Sequence, residues 1–112
     1  MARRITNSIN FSSKDNFNIV GASTLESVKG SVIDVIGCAI GCDVSHETGE
    51  EIATGYLKDI DGNIYSTVSS TAMQSIEALI DIITDEPDKS VEIRVNSQKS
   101  KSGRDFIVLT MV

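Results

Sequence analysis

The position of one amphipathic helix constrains the fold of this 112-residue chain more than any other feature. In residues 71–83, apolar side chains recur at helical spacing on one face, while Glu77 and Asp81 lie on the other. Thr71 and Gln74 form a T-x-x-Q capping box at the start of this segment. The sequence therefore predicts one helix here, and every other regular segment must be placed before it or after it.

The segments before the helix have the composition of strands. Residues 31–44 form a long run rich in Val and Ile, and Gly37 and Gly41 interrupt it, which predicts a strand with a bend. Residues 53–59 and 63–68 flank an Asp-Gly pair, which favours a hairpin with a two-residue turn. Three strands are therefore predicted ahead of the helix.

Two further strands are predicted after the helix. Residues 90–96 alternate between apolar and polar side chains, and residues 105–112 are almost continuously apolar. The predicted order is β-β-β-α-β-β, with the helix between strands 3 and 4. This is the order of a five-stranded OB-fold barrel, a mainly β fold that commonly holds single-stranded nucleic acid or oligosaccharide.

Residues 1–30 differ in composition from the rest of the chain. They are rich in Ser, Asn, Thr and Gly and contain only scattered apolar residues. This composition predicts an N-terminal arm, partly ordered or in contact with another subunit, ahead of an OB-fold domain over residues 31–112. A homo-oligomer would form through this arm, which carries Phe11 and Phe17. A strand beginning near Ile5 is an equally good interpretation of the same residues.

Charge is unevenly distributed along the chain, whose net charge is −6. Residues 46–90 contain ten acidic against two basic side chains, and residues 91–112 contain four basic against two acidic ones. An acidic protein is unsuited to coating DNA by bulk charge alone. The locally basic C-terminal part can nevertheless face a phosphate backbone while the acidic part faces water.

Sequence features also bear on the compartment. No run of about 18 apolar residues occurs, so no transmembrane helix and no membrane partner are expected. No apolar stretch follows the basic N-terminus, so a secretory signal is not expected. Cys38 and Cys42 on one strand would lie about 13 Å apart, which is too far for a disulfide. Reduced cysteines predict a cytoplasmic protein.

The loop between the last two predicted strands, residues 96–104, is the strongest candidate for ligand binding. It combines Lys99, Lys101 and Arg104 with three serines and a glycine, a content that suits a phosphate backbone. In an OB barrel the loop at this place is one of two that hold the ligand. We expect these cations, together with Arg94, to contact phosphates. A solvated hairpin loop is the alternative.

Two tyrosines suggest where bases would stack. If the Asp-Gly pair forms a two-residue turn, Tyr56 opposes Thr67 and Tyr65 opposes Lys58, so all four side chains share one face of the hairpin. Aromatic rings beside a cation are typical of sites that bind single strands without sequence preference. The alternative is a pair of ordinary strand tyrosines with packed rings and hydrated hydroxyls.

Other chemistry has little support in the sequence. Cys38, Cys42 and His46 have a spacing that resembles a metal site, but no second pair of ligands completes it. Asp59 and Asp61 resemble the start of a calcium loop that lacks its downstream glutamate. No nucleophile motif or glycine-rich phosphate loop occurs. We therefore expect no metal, no cofactor and no enzymatic activity.

The glycine-bent strand, the Asp-Gly hairpin, the helix before the fourth strand and the basic loop 99–104 together resemble the small OB-fold single-stranded DNA-binding proteins of bacteriophages and mobile elements. The resemblance covers residues 31–112. It implies a protein that coats or protects single-stranded DNA during replication in the cytoplasm of a bacterial host. The acidic segment favours a rival interpretation, an acidic protein-interaction module that serves as an inhibitor or a virion component.

Overall fold

The computed structural model describes residues 4–44 and 48–112 and shows a mainly β protein. Within these ranges, seven strands form one sheet and two α-helices accompany it. The strands are β1 (Arg4–Ile9), β2 (Ser23–Thr24), β3 (Val32–Val44), β4 (Glu51–Asp59), β5 (Ile64–Thr67), β6 (Val91–Lys99) and β7 (Asp105–Met111). The helices are α1 (Ser13–Asn18) and α2 (Ser70–Asp85), and short 3-10 helices span Ile19–Gly21 and Leu25–Val28.

The sheet contains more strands than the sequence indicated. Six strands follow the order β2-β5-β4-β3-β6-β7. The seventh, β1, is an additional neighbour of β3. Strands β3 to β7 form from the five segments in which strands were predicted, and α2 lies between β5 and β6. The expectation of five strands is wrong, because β1 and β2 add two more from the N-terminal 30 residues. Strand β1 confirms the alternative interpretation of a strand near Ile5.

Strand β3 curls the sheet by pairing with different neighbours along its length. Residues 32–35 pair with β6, whereas residues 35–44 pair with β4. The register with β4 shifts between Val35 and Gly37, which is the irregularity that the glycine predicted. A Cβ atom on Gly37 would lie 2.6 Å from the backbone oxygen of Asn10, so a larger residue does not fit where the N-terminal chain crosses β3.

Helix α2 packs on the inner face of the curled sheet. Its buried side chains are the predicted apolar stripe, Ala72, Ile76, Leu79, Ile80 and Ile83. They join a core that includes Leu57 of β4, Val95 of β6 and Leu25 of the second 3-10 helix. Burial of one such aliphatic side chain contributes about 1.5–3 kcal/mol, so this core is the main source of stability.

The start of α2 differs from the predicted capping box. Ser69, and not Thr71, is the N-cap residue, and its hydroxyl oxygen accepts a hydrogen bond from the N–H of Ala72. The same hydroxyl donates to the carbonyl oxygen of Ile107 in β7 at 3.2 Å. This pair of contacts fixes the junction between β5 and α2 relative to the hairpin formed by β6 and β7.

Residues 4–24, here called the N-terminal segment, continue the sheet and cover part of its outer face. Strand β1 pairs antiparallel with β3, and β2 pairs in parallel with β5. A second apolar cluster forms between this segment and the sheet, with Ile19, Ala39, Tyr56 and Ile64 as its buried members. The segment thus folds against its own chain. Its contact with another subunit stays a prediction.

Candidate nucleic-acid interface

The hairpin of β4 and β5 has a different register from the predicted one. Tyr65 pairs with Leu57, and Lys58 pairs with Ile64. The cause is the turn, which is longer than the Asp-Gly pair. The carboxylate of Asp59 accepts hydrogen bonds from the backbone N–H groups of Asp61 and Asn63. The backbone N–H of Asp59 donates to the carbonyl of Asn63. A three-residue loop with Gly62 at a φ of 88° therefore shifts every pair by one position.

This shift places Tyr56 and Tyr65 on opposite faces of the sheet, because side chains alternate along a strand. The predicted platform with both rings on one face is therefore wrong. Tyr56 lies on the outer face beneath the N-terminal segment and is only 4% exposed. Tyr65 packs against the inner core, and its hydroxyl lies 3.4 Å from Oδ2 of Asp59. Burial and the nearby Asp59 carboxylate raise the pKa of Tyr65.

The other two predicted hairpin residues are engaged in intramolecular contacts. The Nζ atom of Lys58 lies 2.7 Å from Oδ2 of Asp15 in α1. Burial by itself raises the pKa of the Asp15 carboxyl, but hydrogen bonds from Lys58 and Ser12 outweigh it and lower the pKa below its ordinary value. Thr67 is buried, and its hydroxyl oxygen accepts a hydrogen bond from the N–H of Ser69.

The closing hairpin of β6 and β7 keeps its cations in solvent. Strand pairing extends to Lys99 and Asp105, so the loop is shorter than predicted and spans residues 100–104. The N–H of Ser100 donates to the carbonyl of Arg104 at 2.8 Å, and the N–H of Gly103 donates to the carbonyl of Ser100 at 2.9 Å. The loop is therefore a defined tight turn. The predicted phosphate contacts, Arg94, Lys99, Lys101 and Arg104, are all exposed.

A groove of about 700 Å³ separates this turn from the junction between β5 and α2. Arg104 and Phe106 line its hairpin side. A row of hydroxyl side chains lines the opposite side, namely Ser66, Thr67, Ser69, Ser70 and Thr71. Leu25, Val68 and Ile107 add apolar surface to the lining. The groove thus offers an aromatic ring, a guanidinium and several hydrogen-bonding groups to one ligand.

Phe106 is the residue that the sequence interpretation missed. It is half-buried and pairs with Gln98 across the hairpin, on the strand face that also carries Asn96 and Arg94. The sequence does contain an indication of its role: Phe106 lies two residues after Arg104 of the basic loop. It is also the one aromatic residue after Tyr65 in the sequence. The long apolar run of β7 obscured this signal, because it predicts a core position for every ring within it.

The electrostatic character of the groove is mixed. Glu26 and Asp105 line it together with Arg104. Phosphate groups would therefore be favoured at the turn, where Lys99, Lys101 and Arg104 cluster, and disfavoured deeper in the groove. The N-terminus of α2 adds a partial positive charge on the opposite side.

Neither a metal site nor a membrane-spanning helix is found among the described residues. No group of three or more His, Cys, Asp or Glu side chains there could hold a metal ion. His46, which has metal-site spacing with Cys38 and Cys42 in the sequence, lies outside the described residues. In the described part of the chain, every helix is too short or too polar to cross a membrane.

A curled sheet with a groove that joins a ring, a guanidinium and hydroxyls, next to an exposed basic turn, defines a class of small β-proteins suited to an extended anionic polymer. Comparison with known proteins agrees with this class. A family model described as Phage Single-stranded DNA-binding protein matches residues 4–112. A single-stranded DNA-binding protein of Bacillus phage B103 is 30% identical over 98 residues, which are 85% of this chain and 80% of that protein.

The chain therefore belongs to the family of phage single-stranded DNA-binding proteins. No solved structure gives a significant match to it.

Proposed function

We propose that this protein holds single-stranded DNA in the groove between the closing hairpin and the start of α2. As a member of its family, it binds single-stranded DNA in phage replication. One observation carries the proposed location: Arg104 and Phe106 line the same groove of about 700 Å³ as the hydroxyl row. In that groove one nucleotide can meet a stacking surface, a cation and hydrogen-bond donors together.

The proposed mechanism assigns a role to each side of the groove. The half-buried ring of Phe106 stacks on a base, which requires no particular sequence because every base has a π-face. Arg104, Lys101 and Lys99 contact phosphates as the strand leaves the groove over the turn. On the opposite side, the exposed hydroxyls of Ser70 and Thr71 donate hydrogen bonds to phosphate or sugar oxygens.

We also propose that β3 to β7 and α2 form an OB-type barrel that is open between β5 and β7. Two features support this proposal: β3 pairs with both β4 and β6, and the helix lies between β5 and β6. In the partly open OB barrel, the loop that joins the last two strands is one of the binding loops. Here that loop is the turn beside the groove. On this view the protein acts by binding alone, in the cytoplasm of a bacterial host.

Fluorescence anisotropy with labelled oligo-dT tests the proposed location. Phe106→Ala should weaken binding by about 1–3 kcal/mol, the cost of losing one base stack. Phe106→Leu keeps apolar bulk without the aromatic face, so stacking predicts a loss for both variants. If Phe106→Leu binds as tightly as the native protein while its unfolding is unchanged, stacking on Phe106 is excluded.

Arg104→Ala tests the phosphate contact in the same assay. It should reduce the slope of log affinity against log salt by about 0.7, the value expected for one phosphate contact with a single strand. Lys89→Ala is the matched control, because Lys89 is exposed and lies after α2, away from the groove. Equal effects of the two variants would show that Arg104 acts only through net charge.

A further inference from the structure

The outer face of β4 carries the aromatic ring of Tyr56 and the ammonium group of Lys58. The N-terminal segment of the same chain contacts both of them. The rings of Phe11 and Tyr56 are 6.2 Å apart between centroids, with an angle of 33° between their planes. The ammonium of Lys58 lies 2.7 Å from the carboxylate of Asp15. Only 20% of the Lys58 side chain remains exposed.

Both contacts have the chemistry of a contact between protein and nucleotide. Phe11 presents an aromatic ring to Tyr56, as a base does to a stacking residue. Asp15 presents an anionic oxygen to Lys58, as a phosphate does to a cation. Residues 11–22, which contain Phe11 and Asp15, are called the cover below.

Local hydrogen bonds hold the Asp15 carboxylate in position. The backbone N–H and the hydroxyl of Ser12 both donate to Oδ2 of Asp15, at 2.9 and 3.0 Å, and the same oxygen accepts from Lys58. Helix α1 has only six residues, and a helix this short is marginal by itself. The cover therefore depends on its contacts with the sheet for its conformation.

The chain is anchored just before the cover. Asn10 has a φ of 53°, and in the described ranges it is the one non-glycine residue with a positive φ. Its side-chain amide donates to the carbonyls of Ile36 and Pro87, each at 3.0 Å. Beyond the cover, β2 pairs with β5. Both ends of the cover are thus tied to the sheet independently of the Asp15 and Phe11 contacts.

We propose that the cover is displaceable and that the face beneath it, with Tyr56 and Lys58, is a second contact surface for single-stranded DNA. The inference rests on the proposed function, since the strand that occupies the groove is also the ligand that displaces the cover. Asp15 and Phe11 then act as intramolecular substitutes for a phosphate and a base. The cover and the DNA compete for Tyr56 and Lys58. The affinity for DNA therefore falls as the contacts of the cover with these two side chains become stronger.

Asp15→Asn tests the competition directly, because it removes the anionic competitor and keeps the shape of the side chain. Oligo-dT binding should become roughly three- to tenfold tighter, since the cover loses its ion pair with Lys58. Glu86→Gln is the matched control: Glu86 also lies 2.7 Å from a lysine, Lys89, and its loss changes the net charge equally. Lys58→Ala added to Asp15→Asn should abolish the gain in affinity.

Hydrogen exchange of the unmodified protein gives an independent test that needs no variant to fold. With saturating oligo-dT, amides of residues 11–22 should exchange faster than in the free protein. Unchanged or slower exchange in these residues would overturn the proposal. An affinity gain in Asp15→Asn no larger than that in Glu86→Gln would overturn it as well.

The outcomes separate this inference from the proposed function. If the unmodified protein binds oligo-dT and loses affinity on Arg104→Ala and Phe106→Ala, the groove is supported whatever the cover does. If hydrogen exchange in residues 11–22 then does not rise with oligo-dT, and Asp15→Asn gains no more affinity than Glu86→Gln, only the second contact surface is rejected.

Discussion

Lys58 and Asp15 form an ion pair that is largely shielded from water, with 2.7 Å between Nζ and Oδ2 and side-chain exposures of 20% and 9%. Lys89 and Glu86 are also 2.7 Å apart, but their side chains are 75% and 60% exposed. Exposed pairs contribute little because water and salt screen them, whereas breaking a buried pair leaves a charge without its partner. The first pair therefore fastens the N-terminal segment to the sheet, and the second has little effect on stability.

Asp15→Asn should lower the free energy of unfolding by about 1.5–3 kcal/mol, the usual contribution of a hydrogen bond to a charged group. Glu86→Gln should lower it much less, because water and salt screen its exposed pair with Lys89. Urea unfolding of both variants and the native protein measures the difference. Equal stabilities of the two variants would show that the shielding of Asp15 has no energetic consequence.

The contribution of Asp15 should depend on pH with a definite sign. The pKa of Asp15 is lowered in the folded protein from its ordinary value of 3.8, so its stabilisation is fully present above that value. It is lost as the pH falls through the lower folded pKa. The stability gap between native protein and Asp15→Asn should thus be constant from about pH 7 to 5 and shrink below 3.8. Thermal unfolding across this range checks it, and a gap that widens on acidification would refute it.

Gly37→Ala should destabilise the protein by about 1–3 kcal/mol, as expected for overpacking. The new Cβ atom would lie 2.6 Å from the carbonyl oxygen of Asn10 and 2.9 Å from that of Ile9, and neither backbone atom can rotate away. Gly21→Ala is the control, since nothing lies within 4 Å of its Cβ position. Urea unfolding that finds Gly37→Ala no less stable than Gly21→Ala would contradict the close crossing of these chains.

The two cysteines should differ in reactivity. Burial raises the pKa of the Cys38 thiol to about 12, so almost no thiolate forms at neutral pH. Cys42 is only half-buried. A maleimide reagent at pH 7 should label Cys42 first, and Cys38 only in urea, as peptide mass spectrometry would show. Faster labelling of Cys38 in the native protein would mean that the inner core opens more readily than its packing indicates.

The sequence predicted best those elements that local periodicity determines. The apolar stripe of α2 specified its buried face, and the five later strands lie where their composition placed them. The hairpin register was missed because the Asp59 side chain, and not the Asp-Gly pair alone, shapes the turn. A single extra loop residue then moved Tyr56 and Tyr65 to opposite faces of the sheet.

Apart from the strand near Ile5, the N-terminal segment could not be predicted, because long-range contacts hold it in place. Lys58 and Asp15 are 43 positions apart, and the hydrogen bond from Asn10 to Pro87 spans 77 positions. The polar composition of the segment favours an arm when it is considered without these partners. The groove was missed for a similar reason, since it requires residues of β7 to meet the start of α2 in space.

Photo-cross-linking tests the central claim, that the strand lies in the groove at Arg104 and Phe106, most directly. Oligo-dT with bromodeoxyuridine at every second position would be irradiated with the native protein, and cross-linked peptides identified by mass spectrometry. The five aromatic residues, Phe11, Phe17, Tyr56, Tyr65 and Phe106, mark distinct places in the structure. We predict a cross-link at Phe106 or within two residues of it. Cross-links confined to other residues, such as the 81% exposed Phe17, would contradict the account.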